Sequence, residues 1–196
     1  MRSARPLPGG RRESRHLVGR YRDGLGLPAR RGWICTARPK RAGGKRYGFQ
    51  PGRPDGRTLY NGCCGSNTVD AHDYDPATGG ISNSRIFARI DAPGCYLDGA
   101  AIDEEGGYWL PIYGAGKILR FLPDGTLERT LRLPVSRPTM VAFGGDDHAT
   151  MFFTTAAAQI DPRMGVAESG NGSLWAFEPG FRGLPEPTFR AFSEGK

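Results

Sequence analysis

The stretch Asn67–Asn83, NTVDAHDYDPATGGISN, has the pattern of two strands joined by a tight turn. From Val69 to Tyr74, successive side chains fall into two alternating sets, which is typical of a strand with two different faces. The following segment, Asp75–Gly79, supplies the Pro and Gly that a hairpin turn requires. The stretch therefore predicts a β-hairpin within an antiparallel sheet.

Outward from this hairpin, the same series of parts occurs three times along the chain. Each unit has a polar turn, an aromatic strand, an alternating strand, a tight turn and a third strand, as in 55–90, 104–133 and 146–192. Units of about 40–50 residues built from antiparallel strands predict the blades of a β-propeller, with a β-sandwich as the alternative. No stretch longer than a turn or two predicts a helix, so the fold class is all-β.

Large aromatic side chains in these units are predicted to form the core between blades, with substrate stacking as the alternative role. They are Trp109, Phe121, Phe143, Phe152, Phe153 and Trp175.

The acidic residues near the turns are predicted to be turn and strand-edge residues, and the two histidines of the repeat to be surface or strand-face residues. Alternatives are a calcium loop in 70–75, although EF-hand spacing is absent, and a peripheral ion site in 103–105. The residues are Asp70, His72, Asp73, Asp75, Asp103, Glu104, Glu105, Asp146, Asp147 and His148.

The first 46 residues differ from the rest of the chain. They contain 14 Lys and Arg against two acids, whereas residues 47–196 contain 13 against 18. With 28 Arg, Gly, Ala and Pro residues and no apolar period, the segment is expected to be largely disordered. A nucleic-acid-binding tail and a mitochondrial targeting segment are alternatives, but we favour GC-rich DNA translated in an unintended frame, because GC-rich codons encode these residues. The predicted domains are thus 1–46 and 47–196.

The four cysteines, Cys35, Cys63, Cys64 and Cys95, form no CxxC pair, and we expect free thiols in a reducing compartment, with a zinc site as the alternative. No run has the apolar length of a membrane span, and no apolar segment follows the basic N-terminus as in a secretory signal. A cytoplasmic protein without a membrane, nucleic-acid or specific protein partner is therefore expected.

The hairpin quoted above, together with YLDGAAIDEEGGYWL from Tyr96 and GKILRFLPDGTLERTLRLPVSRPTMVAFGG from Gly116, resembles the regucalcin, senescence marker protein and gluconolactonase family. The resemblance covers residues 49–190. It implies a six-bladed β-propeller, about three blades of which lie in this chain. It also implies one divalent metal ion in the central channel, Ca²⁺, Zn²⁺, Mg²⁺ or Mn²⁺, and hydrolysis of a small-molecule sugar lactone.

The resemblance carries one functional residue onto this sequence. The family's Tyr-Pro-Asp-Gly motif matches Tyr96–Gly99 with Leu97 in place of Pro, so Asp98 is the expected metal ligand and catalytic general base, beside a metal that polarises the lactone carbonyl. From the residues alone, an Asp-Gly turn is the alternative for Asp98.

Other family ligands are not matched. Tyr47 and Gly48 stand where a metal-binding Asn is expected, and Glu13 does not lie in the family's Gly-Glu-Gly-Pro setting. The functional hypothesis is therefore a metal-dependent lactonase that is impaired in this copy, with a non-catalytic propeller remnant or interaction module as the alternative.

Overall fold

The structure, a computed structural model, describes residues 5–6, 46–52, 56–157 and 169–185, the first two ranges by their backbone alone. Within these ranges the chain is all-β and has no helix, as predicted. Most of segment 1–46, and the predicted last strand 187–192, lie outside the described residues. The strands are β1 (Arg5–Pro6), β2 (Arg46–Gly52), β3 (Thr58–Cys63), β4 (Thr68–Tyr74), β5 (Ile81–Arg89), β6 (Tyr96–Leu97), β7 (Ala101–Ile102), β8 (Tyr108–Tyr113), β9 (Lys117–Phe121), β10 (Leu127–Arg132), β11 (Pro138–Gly144), β12 (Thr150–Thr155) and β13 (Leu174–Phe177).

The strands form three antiparallel sheets that follow one another along the chain. The first has the order β2-β3-β4-β5, and the second has the order β10-β9-β8-β6, with β7 also paired to β8. The third has the order β1-β13-β12-β11. Within each sheet, strands that are consecutive in sequence lie side by side, except that β1 pairs with β13 and that β6 and β7 both pair with β8. This is the arrangement of propeller blades and confirms the predicted fold class.

The repeat predicts the outer strands of each sheet but not the inner ones. The aromatic and alternating runs correspond to β3–β5, β8–β10, β12 and β13. Apart from β1, the strands that come first in each sheet along the chain are β2, β6, β7 and β11, and we call them the inner strands because β7 contacts both β2 and β11. These four strands have no counterpart in the predicted units. Two of them, β6 and β7, have only two residues each, and β11 is irregular between Pro138 and Met140. None of these three strands therefore has a long run of alternating side chains.

Two clusters of apolar side chains are packed between neighbouring sheets, and β9 contributes to both. Leu119 and Phe121 belong to the cluster shared by the first and second sheets, whereas Ile118 belongs to the cluster shared by the second and third. Alternation on β9 therefore divides its side chains between two buried interfaces, because a blade has a neighbour on each face. Complete burial of one such side chain stabilises the fold by about 1.5–3 kcal/mol.

Aromatic packing supports the predicted core. Tyr60 of the first sheet lies 4.9 Å from Tyr108 of the second, measured between ring centroids. The predicted core residues Trp109, Phe121, Phe153 and Trp175 are buried, and Phe143 and Phe152 are half-buried.

Asp103 has a buried carboxylate, which its predicted role as a turn residue did not indicate. It does lie in the turn between β7 and β8, but its side chain is 0% exposed. Its Oδ2 accepts hydrogen bonds from Trp109 Nε1 and Arg120 Nε, both at 2.7 Å. Its Oδ1 accepts from the backbone N–H groups of Glu105 and Gly107, at 3.0 and 2.7 Å. Both carboxylate oxygens are therefore already engaged within the chain.

Arg120 completes this buried network. Its side chain is 2% exposed, and its Nη2 donates to Glu105 at 2.9 Å. Burial disfavours the charged guanidinium, but the hydrogen bond and charge of Asp103, followed by Glu128 and Glu105, outweigh this and raise the pKa of Arg120. A buried charge is tolerated only when it is paired in this way.

A segment beyond β13, Pro179–Leu184, covers this network. The Phe181 ring lies 3.8 Å from the Arg120 guanidinium carbon. Backbone contacts hold the segment in place: Glu104 N donates to Arg182 O at 2.9 Å, and Gly183 N donates to His148 O at 2.9 Å. The segment thus links the third sheet to the second.

The described residues contain no helix long and apolar enough to cross a membrane. In the described part of the chain no disulfide includes Cys63, Cys64 or Cys95, and Cys35 lies outside the described residues.

We expect Asp103→Ala to lower the free energy of unfolding by about 3–5 kcal/mol, because it leaves the Arg120 charge buried beside an empty space. Urea denaturation followed by tryptophan fluorescence measures the change. The matched control is Asp147→Ala, which removes a carboxylate 3.1 Å from Arg182 with both side chains at least half exposed. That change should stay within about 1 kcal/mol. Equal effects of the two substitutions would contradict a special role for the buried pair.

Candidate active site

Asp98 lies between β6 and β7, on the inner side of the second sheet. Its backbone N–H donates to Pro111 O at 3.3 Å, whereas the next N–H, that of Gly99, donates to Thr139 O of the third sheet at 2.8 Å. β7 is also close to both β2 and β11, so the inner strands of the three sheets are neighbours. Asp98 is therefore placed where the inner edges of the sheets meet.

Gly99 explains how the two sheets approach so closely here. A side chain at this position would overlap Met140 Sδ and lie 3.3 Å from Met140 Cα. A β-carbon here would therefore require the Met140 side chain to move and would crowd the Met140 backbone, whereas the backbone dihedrals do not require glycine, since Gly99 has no left-handed φ.

A second Asp-Gly pair, Asp124-Gly125, shows what the turn alternative looks like. Gly125 has φ of +89°, and Asp124 accepts from the Thr126 N–H at 2.9 Å in the turn between β9 and β10. Asp98-Gly99 has neither feature and is not assigned to a turn. The simple turn interpretation of Asp98 is therefore wrong.

The Asp98 carboxylate is half-buried and has little to stabilise its charge. Among the described residues, the carboxylate accepts a hydrogen bond from the Gly99 N–H, 3.1 Å from Oδ1, and no Lys or Arg forms an ion pair with it. Burial raises the pKa of Asp98 to about 6, and only the Gly99 N–H opposes this shift. The carboxyl group therefore titrates close to neutral pH, as a general base often does.

Other acids of the chain behave in the opposite way. Hydrogen bonds lower the pKa of Asp73, Asp75, Asp124 and Asp147, all of which are exposed to solvent. Asp73 accepts from Asn83 and Arg85 at 2.7 Å, and Asp75 accepts from Thr78 at 2.6 Å. These acids are local turn and hairpin residues, as predicted.

A divalent ion needs more ligands than Asp98 provides. The described residues contain no group of three or more His, Cys, Asp or Glu side chains that could hold a metal ion. Hard divalent ions take about six to eight oxygens, several of them from protein groups. Tyr47 and Gly48 lie in β2, which is described by its backbone alone, and Glu13 lies outside the described residues. The described residues therefore do not by themselves fit a metal ion.

Sequence reasoning missed the neighbour of Asp98 across the sheet interface. Met140 is not in a predicted unit, because the inner strand β11 was not predicted. The run from Met140 to Phe143 is apolar throughout, so the sequence has no period-two signal that could have revealed the strand.

The fold and the site together define a β-propeller chain with a candidate active-site carboxylate where its inner strands meet. Residues 52–157, more than half of the chain, match the model of the SMP-30/Gluconolactonase/LRE-like region. The chain belongs to this family, which confirms the resemblance seen in the sequence.

Individual relatives agree with this assignment. Regucalcin of Sus scrofa is 36% identical over 122 residues, which is 61% of this chain and 41% of the relative. A crystal structure of a calcium-binding protein, regucalcin, from Agrobacterium tumefaciens is 25% identical with a TM-score of 0.66, over 74% of this chain and 50% of that one. A luciferin-regenerating enzyme is 29% identical with a TM-score of 0.66, over 72% of this chain and 47% of that one. The chain spans about two fifths of the length of the curated relatives it matches.

The raised pKa of Asp98 predicts an unusual dependence of stability on pH. The carboxyl group ionises near 3.8 in the unfolded chain but at about 6 in the folded one, so the folded state holds its proton longer. The contribution of Asp98 to stability is therefore present below pH 4 and is lost as the pH rises to about 6. After allowance for solvent screening we expect a loss of about 1–2 kcal/mol relative to Asp98→Asn.

Urea denaturation from pH 4 to pH 7 in the presence of chelator measures this difference. Asp124→Asn is the matched control, and its difference from the wild type should stay nearly constant over this range, because the pKa of Asp124 is lowered and its contribution is lost only as the pH falls below the ordinary value of 3.8. Parallel pH curves for the wild type and Asp98→Asn would contradict a raised pKa at Asp98.

Proposed function

We propose that this chain acts as a lactone hydrolase of the gluconolactonase type, with Asp98 as its catalytic general base. The observation that carries the proposal is the half-buried Asp98 carboxylate, which lies where the inner strands meet and whose recorded hydrogen bond comes from the adjacent Gly99 N–H. Membership of the family supports the same reaction class. The proposal extends to this chain an activity that belongs to relatives of greater length.

The group that the described residues supply for this chemistry is a proton acceptor next to the bound lactone. The ionised Asp98 carboxylate takes a proton from water, and the water oxygen forms a bond to the lactone carbonyl carbon. The ring C–O bond then breaks, and the proton passes to the ring oxygen, which leaves a hydroxy acid. A pKa of about 6 leaves Asp98 mostly ionised at pH 7 and still basic enough to accept the proton.

A divalent ion belongs to the proposal as a cofactor. The Agrobacterium relative is described as calcium-binding, and we extend this property to the present chain with Asp98 as one ligand. Further ligands would have to come from outside the described residues, so we expect weak binding, and the reaction above is written without the ion. A cytoplasmic location remains a prediction.

The test is hydrolysis of D-glucono-δ-lactone by the full chain, followed with a pH indicator between pH 5 and pH 7, with calcium and with chelator. Activity should rise through pH 6 as Asp98 ionises. Asp98→Asn should lower kcat by a factor of at least 10² because general-base catalysis is lost. Asp124→Asn, at the Asp-Gly pair in the turn between β9 and β10, should retain wild-type activity.

The alternative, a non-catalytic propeller module, predicts a different outcome. In that case hydrolysis equals the rate without protein at every pH and does not respond to calcium, chelator or Asp98→Asn. Calorimetric titration with calcium separates the cofactor from the reaction. Micromolar affinity that is lost in Asp98→Ala would contradict the weak binding expected here.

A further inference from the structure

A cavity of about 250 Å³ lies between the first sheet and the turn that joins β9 to β10 of the second sheet, and we call it the inter-sheet cavity. Its floor comes from the first sheet, where Thr58, Tyr60 and Ala71 are at most 6% exposed. Tyr60 and Ala71 are cross-strand partners on β3 and β4, so the floor is continuous from one strand to the next. Asp98 does not line the inter-sheet cavity, which is therefore separate from the candidate active site.

The size and the aromatic lining of the inter-sheet cavity suit a ligand that carries a ring. Tyr60 and Phe87 both line it, with ring centroids 4.6 Å apart and planes inclined by 54°. Aromatic side chains favour contact with a further ring in offset or edge-on arrangements. An apolar cavity of about 150 Å³ already binds benzene. A volume of about 250 Å³ therefore accommodates a ring together with a small polar group.

A guanidinium group stands at the first-sheet side of the inter-sheet cavity. Arg85, on β5, is about half exposed and uses its Nη1 to donate to Asp73 and to the Asn83 carbonyl oxygen, at 2.7 and 3.1 Å. Among the described residues, its Nε and Nη2 form no hydrogen bond. Arg85 therefore retains N–H groups that can donate to a ligand carboxylate, which binds guanidinium through two parallel hydrogen bonds.

A carboxylate stands at the second-sheet side. Asp124 lines the cavity from the turn between β9 and β10, and hydrogen bonds from the Thr126 backbone and side chain lower its pKa, so it is ionised at neutral pH. In the part of the chain that the structure describes, Asp124 and Arg85 form no ion pair with each other, since the ion-pair partner of Arg85 is Asp73. Two opposite charges thus face one cavity from different sheets.

The turn that carries Asp124 is held closely against β5. A β-carbon at Gly125 would overlap the Phe87 carbonyl oxygen, and Gly125 has φ of +89°, so this position requires glycine on both counts. The Leu122 N–H donates to Thr126 O at 2.8 Å and closes the turn. Because both sides of the cavity are fixed before a ligand arrives, binding requires little ordering of the protein.

We propose that the inter-sheet cavity binds a zwitterionic α-amino acid with an aromatic side chain, of the size of L-phenylalanine. Arg85 donates to the ligand carboxylate, Asp124 accepts from the ligand ammonium group, and the ring packs on Tyr60 and Phe87. A ligand with only one charge pairs with one of the two charged residues and leaves the other without a partner. The site is independent of the proposed lactone hydrolysis at Asp98.

Three ligands with the same ring test the two charges on the full chain. L-Phenylalanine carries both charges, 2-phenylethylamine lacks the carboxylate, and 3-phenylpropionate lacks the ammonium group. Saturation-transfer NMR of the ring protons, with titration and competition, gives the three Kd values at neutral pH. We expect L-phenylalanine to bind at least about tenfold more tightly than either analogue, because each analogue loses one charge-assisted hydrogen-bonded contact.

Two substitutions assign the charges to their residues. Arg85→Gln should abolish the preference for L-phenylalanine over 2-phenylethylamine and keep the preference over 3-phenylpropionate, whereas Asp124→Asn should do the reverse. Arg182→Gln and Asp147→Asn are the matched controls, because this ion pair of 3.1 Å is similarly exposed and does not line the cavity. Both controls should leave all three Kd values unchanged.

The outcomes decide the proposal separately from the reaction at Asp98. Absence of saturation transfer to L-phenylalanine, or equal Kd values for L-phenylalanine and an analogue with the wild type, would overturn the amino-acid site. Equal weakening of all three ligands by both Arg85→Gln and Asp124→Asn would overturn the assigned contacts. Loss of ligand preference in Asp124→Asn with unchanged lactone hydrolysis would support two independent sites, and binding of L-phenylalanine by a chain that hydrolyses no lactone would overturn only the proposed function.

Discussion

The buried ion pair between Asp103 and Arg120 is the interaction on which the rest of this structure depends. Asp103 directly follows β7, so a fixed carboxylate also fixes the inner strand that begins three residues after Asp98. Arg120 lies on β9, and Phe181 covers it from a segment beyond the third sheet. One desolvated pair thus connects an inner strand, a central strand and the neighbouring sheet. Since a buried charge without its partner is strongly unfavourable, the pair restricts the movement of β7, β9 and the segment that carries Phe181 relative to one another.

The inner edge shows how identical dipeptides acquire different roles. Asp98-Gly99 and Asp124-Gly125 have the same letters, but in the first pair the glycine admits a neighbouring strand, and in the second it supplies a left-handed turn residue. The environment of each aspartate follows from this difference. One carboxylate loses water without gaining a cation, which raises its pKa, and the other accepts hydrogen bonds from Thr126 at the surface, which lower it.

Much of the fold could be predicted from the sequence, because period-two alternation and Pro-Gly turns are local signals. The short inner strands β6 and β7 could not, since two residues have no periodicity and their position depends on pairing with β8. The resemblance directed attention to Asp98, but its partial burial is a tertiary property, at a place where Gly99 contacts Met140 from a strand more than 40 positions away. The burial of Asp103 was likewise hidden, because its partner Arg120 lies 17 positions further on and is covered by a still later segment.

The cover provided by Phe181 has a consequence for synthesis on the ribosome. Phe181 is made about 60 residues after Arg120, which corresponds to about 3–12 s at bacterial and eukaryotic elongation rates. During that interval the strands of the second sheet can pair, but the face of the Arg120 guanidinium that Phe181 later covers remains hydrated. The nascent chain therefore passes through a stage in which two sheets are formed while the seam toward the third stays open. Trp109 and Ile118 belong to the apolar cluster shared with the third sheet, so we expect chaperones that bind apolar surface to reach them until that sheet docks and Phe181 completes the cover of Trp109.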